Sequence, residues 1–422
     1  MNLSHRPLAF LVMGFVWVLL ACVIGLALFL GMTTGRPYGQ VFRSLHVHGA
    51  LIGGVMQIIA GLLLAGRERR TSQPAIFMAL NLGTLGLLIG QVHGHFPLMS
   101  ISAIALLGAF VPLGGDLLRQ SRHSVVGAPL NYWFYGIVLA SLAGGLLAGA
   151  AVPLRLVPYS FVGQGRLAHI HLLTQGFVLL MIVGAMHAQF PAYLNGRLHS
   201  PILGQLTFAL LPLGFVVLLA GFLLTNLWVQ IAGGVLMLIG ALFYSYNIVS
   251  TWQDAGRPRK PASDLCLIAT FFLVIAIACG ILVSVNALED PPFVPFGSLH
   301  LAAYTHLAFI GFMLLSLLGA LTDLLPNLLA EERTTSNKKR GPYEAALIRI
   351  IGRWSPPQLW TLSVGTMSLA VVAALVWQYP LNAWPVKAAA WVGALLLLTG
   401  LALFTTKIVQ LLLVDPNDSS SS

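Results

Sequence analysis

Twelve apolar stretches follow one another along the chain, each close to 20 residues long and separated from the next by short polar segments. They cover 8–31, 43–65, 74–92, 99–118, 130–150, 167–190, 201–224, 227–249, 264–286, 300–322, 357–378 and 387–412. An α-helix needs roughly 20 mainly apolar residues to cross the hydrocarbon core of a bilayer. The pattern therefore predicts twelve transmembrane helices, numbered 1 to 12 in chain order, and an all-α fold in which residues 1–422 form a single membrane domain.

Composition and cysteine usage agree with a protein embedded in lipid. Hydrophobic residues make up 58% of the chain and charged residues 8%, whereas about 25% of a soluble domain is charged. The first apolar stretch is too long for a removable signal peptide and has no small-residue cleavage site, so it is expected to remain as helix 1. Cys22, Cys266 and Cys279 fall inside apolar stretches and have no Cys-x-x-Cys spacing. These cysteines are therefore expected to pack in the helix bundle and not to form disulfides or a metal site.

The distribution of positive charge predicts the orientation in the membrane. The formal net charge is +10, but the basic residues concentrate in alternate short loops, as the positive-inside bias requires. This pattern places both termini in the cytoplasm and does not indicate a nucleic-acid partner. The longest loop, about 323–356, contains the run Asn337-Lys338-Lys339-Arg340 and is expected to be a solvated cytoplasmic linker.

A histidine and two glycines recur in the same register on every fourth helix. The three copies are His48, Gly53 and Gly61; His171, Gly176 and Gly184; and His306, Gly311 and Gly319. The repeat predicts three four-helix groups around a pseudo-threefold axis, at about 8–118, 130–249 and 264–412. Twelve-helix transporters are usually built from two six-helix halves instead. The glycines are explained either by close helix packing or by room for a flat macrocycle.

Histidines gather toward one side of the predicted bundle. In the predicted orientation the outer membrane half contains six of them on helices 2, 6 and 10, while two more end helix 3 on the same side: His46, His48, His169, His171, His300, His306, His93 and His95. An ionisable residue inside a membrane is a functional candidate, and neutral imidazole binds haem iron or copper. Residues two apart lie roughly 200° apart around a helix, so adjacent pairs are expected to take different partners. The alternative for any single histidine is an interhelical hydrogen bond.

Three segments carry a resemblance to a known family. They are Arg43-Ser44-Leu45-His46-Val47-His48-Gly49, then Ala168-His169-Ile170-His171 through Gly176-Phe177, and Tyr304-Thr305-His306 through Gly311-Phe312. With twelve helices, the chain resembles subunit I of the haem-copper oxidase superfamily, and in particular the small oxidase-like and NnrS-type membrane proteins. The resemblance implies a haem, expected to be b-type, between helices 2 and 10. Its ligands would be His48, with His46 as the alternative, and His306.

The departures from this family limit the expected activity. The oxidases carry two histidines one residue apart on helix 10, where this chain has His306 and, six residues away on another face, His300. No histidine occurs in 201–224, and the family's His-Pro-Glu-Val-Tyr pattern on helix 6 is absent. A complete oxygen-reducing centre and proton pumping are therefore not expected. His169 or His171, together with His93 or His95, could still form a copper or haem site with fewer protein ligands than the family's centre.

The histidine pattern together with this resemblance thus predicts a haem protein of the bacterial cytoplasmic (inner) membrane, with copper as a further candidate metal. His48, His171 and His306 would be the principal ligands, and Gly53, Gly176 and Gly311 would let helices or a macrocycle approach closely. The site would face the periplasm, receive electrons from a periplasmic donor, and serve respiratory electron transfer or the handling of nitric oxide or dioxygen. The alternatives are a transporter or sensor whose histidines bind a metal or proton, and a non-catalytic relative that keeps the fold as a scaffold.

Overall fold

The computed structural model describes residues 7–36, 38–65, 73–122, 129–292 and 303–416. Every regular element within these ranges is a helix. Twelve helices there are long and apolar enough to cross a membrane. The predicted all-α membrane class and the number of transmembrane helices are confirmed.

The observed helices coincide with the predicted apolar stretches and generally extend past them by a few residues. In order they are Pro7–Thr33, Gln40–Leu64, Gln73–His93, Phe96–Arg122, Leu130–Ala151, Tyr159–Tyr193, Pro201–Leu223, Leu227–Asp254, Pro261–Asn286, Ala303–Arg333, Ser355–Gln378 and Trp384–Leu413. Helices overrun the apolar stretches because backbone hydrogen bonding continues where side chains become polar. The helix bounds are thus less sharply marked in the sequence than the helices themselves.

The chain divides into two compact units. The first contains the described residues up to His187 together with Phe208–Met237, and the second contains Ala188–Thr207 together with the described residues from Leu238 onward. In the first unit helix 1 packs on helix 2, helix 3 on helix 4, and helix 5 on helices 4 and 6; in the second, helix 9 packs on helix 10 and helix 11 on helix 12. The arrangement of three four-helix groups stays a prediction.

The three helices that carry the repeat are the most enclosed. In helices 2, 6 and 10, 67% of the most apolar window is buried, whereas the share in the other spans is 22–44%. A membrane helix that turns few residues outward can hold polar side chains without exposing them to lipid. Helices 2, 6 and 10 are therefore where a polar site can form at the lowest cost in free energy.

The repeat glycines lie where each of these helices crosses the helix before it. A Cβ on any of them would lie within 2.8 Å of a side-chain atom of that preceding helix. The neighbours are Trp17 for Gly53, Leu11 for Gly61, Ser141 for Gly176, Phe134 for Gly184, Phe272 for Gly311 and Cys266 for Gly319. Small residues permit such close approach between membrane helices. Helix packing thus explains all six glycines.

The segment predicted as a linker, 323–356, is helical for most of its length and partly buried. Helix 10 continues to Arg333, and a separate connecting helix spans Asn337–Gly352. Tyr343, Leu347 and Ile351 are buried, and their four-residue spacing places them on one helix face. The charge run at the start of this segment concealed the apolar stripe that follows it.

The connecting helix is held to the ends of helices 10 and 12. Arg333 donates through Nη2 to the carbonyl of Leu412 at 2.9 Å and through Nη1 to that of Val414 at 3.0 Å. The Tyr343 hydroxyl donates to the same Val414 carbonyl at 3.1 Å. The last carbonyls of a helix lack partners within it and carry partial negative charge, so a guanidinium placed there satisfies and stabilises the end of helix 12.

Candidate functional site

Each repeat histidine stands immediately before an eight-residue π-helical segment. His48 precedes Gly49–Met56, His171 precedes Leu172–Leu179 and His306 precedes Leu307–Leu314. π-Helical turns are rare and are frequent at functional sites, because the wider i→i+5 bonding re-aims neighbouring side chains. The three copies therefore share a backbone conformation as well as residue types. In each copy the helix changes from α to π directly after the histidine.

Backbone carbonyls fix the protonated nitrogen of two of these imidazoles. His48 Nδ1 lies 2.8 Å from the carbonyl oxygen of Ser44, and His171 Nδ1 lies 2.8 Å from that of Leu167. A carbonyl only accepts, so Nδ1 is the donor in both rings. The lone pair of each neutral ring is then on Nε2, which is the arrangement found when a histidine ligates a metal.

The histidines two positions earlier reach across to a neighbouring helix. His46 Nδ1 lies 2.8 Å from the carbonyl oxygen of Ala21 on helix 1, and His169 Nδ1 lies 2.7 Å from that of Gly145 on helix 5. The two members of each pair thus take partners on different helices, in keeping with their 200° separation. Nε2 is again the ring nitrogen that carries the lone pair.

A glycine on the preceding helix makes room for the ring at this earlier position. A Cβ on Gly25 would lie 2.7 Å from Cε1 of His46, and a Cβ on Gly149 would lie 2.6 Å from Cε1 of His169. In the third copy Tyr304 takes the histidine's place, and a Cβ on Gly280 would approach its ring to 3.0 Å. The glycine and its aromatic partner are a further element of the repeat, which the sequence analysis missed.

Histidines of helices 2 and 6 come together within the first unit. The ring centroids of His48 and His169 are 6.4 Å apart and their planes are inclined by 23°. Both side chains are half-buried. The family resemblance pairs helix 2 with helix 10, so this juxtaposition is not one that the sequence indicated.

Gln91 of helix 3 completes the surroundings of His48. Its Nε2 lies 3.1 Å from His48 Nδ1, and the hydroxyl of Ser44 lies 3.2 Å from the same atom. Gln91 Oε1 is buried without a hydrogen-bond partner. A 180° rotation of the Gln91 amide group exchanges the positions of Nε2 and Oε1, and would place Oε1 beside the His48 N–H. Gln91 is therefore a second acceptor available to hold this ring.

The remaining predicted ligands have other surroundings. The ring of His171 packs on that of Phe222 in helix 7, with 4.2 Å between centroids. His93 and His95 are exposed. His95 Nδ1 accepts a hydrogen bond from the N–H of Leu98 at 3.1 Å, and this bond caps the start of helix 4. These contacts give His95 a structural role at a helix end.

The second unit contains His306, at the helix position that corresponds to His48 and His171. His300 lies outside the described residues. Among the residues that the structure describes, no three His, Cys, Asp or Glu side chains stand close enough together to hold a metal ion. A metal in that part of the chain would be held by one or two protein ligands, with the rest of its donors from elsewhere.

No protein-family description and no curated protein matches the chain.

Proposed function

We propose that this chain is a haem-binding membrane protein of the haem-copper oxidase type, in which neutral histidine imidazoles ligate the iron. The observation that carries the proposal is the shared state of His48 and His171. Each imidazole precedes a π-helical segment and donates Nδ1–H to the carbonyl four residues earlier. Such a bond fixes the tautomer and ring orientation and makes Nε2 a better donor to iron.

The number of protein ligands favours haem over a bare metal ion. A structural metal site generally needs four donors, and no group of three candidate ligands is present among the described residues. Haem brings four nitrogen donors of its own and needs one or two axial ligands from the protein. A pair of well-oriented histidines is enough for haem and is too few for a closed copper or zinc site.

The protein's own contribution is to orient the imidazoles and to exclude water. When bound, the haem would supply one-electron chemistry or an open position for a diatomic gas. His46, His48, His169 and His171 each keep one ring nitrogen tied to a carbonyl. The apolar walls of helices 2 and 6, including Ile52 and Phe177, are buried and would keep the surroundings of the ligands dry.

The chemistry and location follow the family resemblance. The sequence contains no Cys-x-x-Cys-His segment, so the haem would be held without covalent links, as a b-type haem. Nitric oxide or dioxygen is the expected gas and a periplasmic protein the expected electron donor, in a bacterial inner membrane. Copper is the second metal to be looked for.

Purification in detergent tests the proposal. We expect a reduced-minus-oxidised absorbance spectrum with haem b bands and iron in about stoichiometric amount. Replacement of His48 by Gln should change the spectrum, whereas replacement of His199, whose Nδ1 contacts Asp254 at 2.7 Å, should leave it unchanged. A wild-type protein that is folded but has no haem bands and no iron or copper would contradict the proposal.

A transport function is the second candidate, and Lys407 is the observation that favours it. This lysine lies in helix 12, is 1% exposed, and donates to Gln358 Oε1 at 2.5 Å and to Ser355 Oγ at 3.4 Å. A buried charge in a membrane span marks an ion or proton pathway by default. Proton or anion uptake into proteoliposomes that is lost in Lys407→Met would support transport, and the absence of any uptake by the wild type would exclude it.

A further inference from the structure

The spacing of His48 and His169 is wider than a stacking contact. Their centroids are 6.4 Å apart, whereas the rings of His171 and Phe222, which touch, are 4.2 Å apart. The two rings are therefore neighbours with a gap between them. It lies inside one compact unit, between helices 2 and 6.

Each imidazole uses Nδ1 for a backbone carbonyl and keeps the lone pair of Nε2 for a further partner. His48 gives its ring N–H to Ser44 and His169 gives its own to Gly145, so Nε2 is the accepting nitrogen of each ring. No hydrogen bond to either Nε2 is seen within the described part of the chain. Two neighbouring neutral imidazoles can bind one metal cation through these lone pairs.

The distance matches the size of such a centre. A first-row metal ion lies about 2.0 Å from an imidazole nitrogen, and a ring centroid lies about 1 Å beyond its nitrogen, as bond lengths near 1.3 Å require. Two imidazoles on opposite sides of one metal therefore have centroids about 6 Å apart. The 23° between the ring planes is compatible with two axial ligands whose planes are nearly parallel.

We infer that His48 and His169 together ligate one transition-metal centre through their Nε2 atoms. In its haem form the inference rests on the proposed function and names the two histidines that would hold the haem. In its other form the centre is an open copper site, to which the two imidazoles supply only part of the ligands. It replaces the helix 2 and helix 10 pair that the resemblance implies with a pair from helices 2 and 6. Gln91, beside His48 Nδ1, is a positioning residue of the same centre.

Both rings are held in place before any metal binds. His169 lies between the Gly145 carbonyl and the bare surface of Gly149, and His48 is held by Ser44 and Gln91. Preorganised ligands lose little conformational freedom on binding. The two rings therefore need little reorientation when they bind a metal.

The test uses the full-length wild type and the variants His48→Gln, His169→Gln and the control His199→Gln, each purified in detergent. Haem is measured by absorbance and by low-temperature electron paramagnetic resonance, and iron and copper by elemental analysis. For a haem centre we expect a six-coordinate low-spin signal that both site variants convert to high spin or lose. For a copper centre, copper should fall at least about tenfold in both variants while any haem signal is unchanged.

Two results would overturn the inference. One is a folded His169→Gln protein that keeps the spin state, haem content and copper content of the wild type. If haem binding is lost in His48→Gln and kept in His169→Gln, the proposed function stands and this ligand pair is wrong. The other is a wild type without haem, iron or copper, which would remove both. Should His169→Gln fail to fold, His169→Gly supplemented with imidazole is used, and the return of the low-spin signal or of bound copper is expected.

Discussion

The imidazole of His169 rests directly on Gly149, so closely that a Cβ on this glycine would lie 2.6 Å from Cε1 and 2.8 Å from Nδ1. The same ring donates to the carbonyl of Gly145, one turn away on helix 5. Helix 5 therefore offers His169 a bare surface and a hydrogen-bond acceptor on one face. Helix 1 does the same for His46 through Gly25 and Ala21.

Replacement of Gly149 by Ala should displace this ring. A methyl group at 2.6 Å from Cε1 forces the imidazole to move, and overpacking of this kind costs about 1–3 kcal/mol. We expect a lower thermal unfolding temperature in detergent and an altered spectrum of any bound haem. Gly136→Ala is the matched control on helix 5, because nothing lies within 4 Å of a Cβ there. Equal behaviour of the two variants would mean that the contact with His169 is unimportant.

The fold was predictable to the extent that hydropathy alone determines it. All twelve spans follow from apolar length, since only helices of that length satisfy their backbone groups in lipid. The connecting helix was not predicted because its buried residues, Tyr343, Leu347 and Ile351, are few and follow a run of basic residues. Burial there depends on the ends of helices 10 and 12, which a local pattern does not reveal.

The candidate site was predictable in its residue types and not in its pairing. The register of His48, His171 and His306 with their glycines was visible in the sequence, and the structure adds the π-helical segment after each. The approach of His48 to His169 depends on how helices 2 and 6 pack, which no spacing along the chain encodes. The Gly25 and Gly149 contacts could have been found, since each glycine stands one helix before its histidine.

A second prediction concerns Gly176, the helix 6 member of the repeated glycines. A Cβ there would meet Ser141 Oγ at 2.5 Å and Phe215 Cζ at 2.7 Å, and both neighbours are themselves buried. Gly176→Ala should therefore destabilise the protein by about 1–3 kcal/mol. Gly144→Ala, where the nearest atom of Leu172 is 3.7 Å away, should be tolerated. Thermal unfolding in detergent distinguishes them, and a neutral Gly176→Ala would argue against tight packing at the π-helical segment.

A double-mutant cycle on Lys407 and Gln358 should be strongly non-additive. Lys407 donates to Gln358 Oε1 at 2.5 Å, and both side chains are at most 2% exposed. Gln358→Leu leaves a buried ammonium without its amide partner, which should cost about 1–3 kcal/mol or more. Replacing both with apolar residues removes the polar groups together, so Lys407→Met with Gln358→Leu should be more stable than Gln358→Leu alone.

The control for this cycle is Lys387→Met on the same helix 12, where we expect a change within about 0.5 kcal/mol. Stability is read from thermal unfolding of each variant in one detergent. Additive losses in the double variant would show that the two side chains do not interact in the folded protein.

The last prediction concerns Arg333, which joins the end of helix 10 to the connecting helix and to the end of helix 12. Its guanidinium donates to Leu412, Val414 and, at 3.2 Å, to the Tyr343 hydroxyl. Arg333→Leu removes all three bonds and leaves two helix-end carbonyls without this donor, so a loss of about 2–3 kcal/mol is expected. Tyr343→Phe removes fewer contacts and should cost about 1 kcal/mol.

Arg340 provides the matched control for Arg333. Its Nη1 lies 4.0 Å from Glu331 Oε1 in a solvent-accessible pair, and surface pairs of this kind contribute between zero and about 1 kcal/mol. Arg340→Ala should therefore keep the wild-type unfolding temperature and the wild-type rate of proteolysis at 334–336, the segment before the connecting helix. Arg333→Leu should lower the first and raise the second, because an undocked connecting helix exposes this segment to the protease. If Arg333→Leu is cleaved no faster than Arg340→Ala, the connecting helix is held by its apolar face alone.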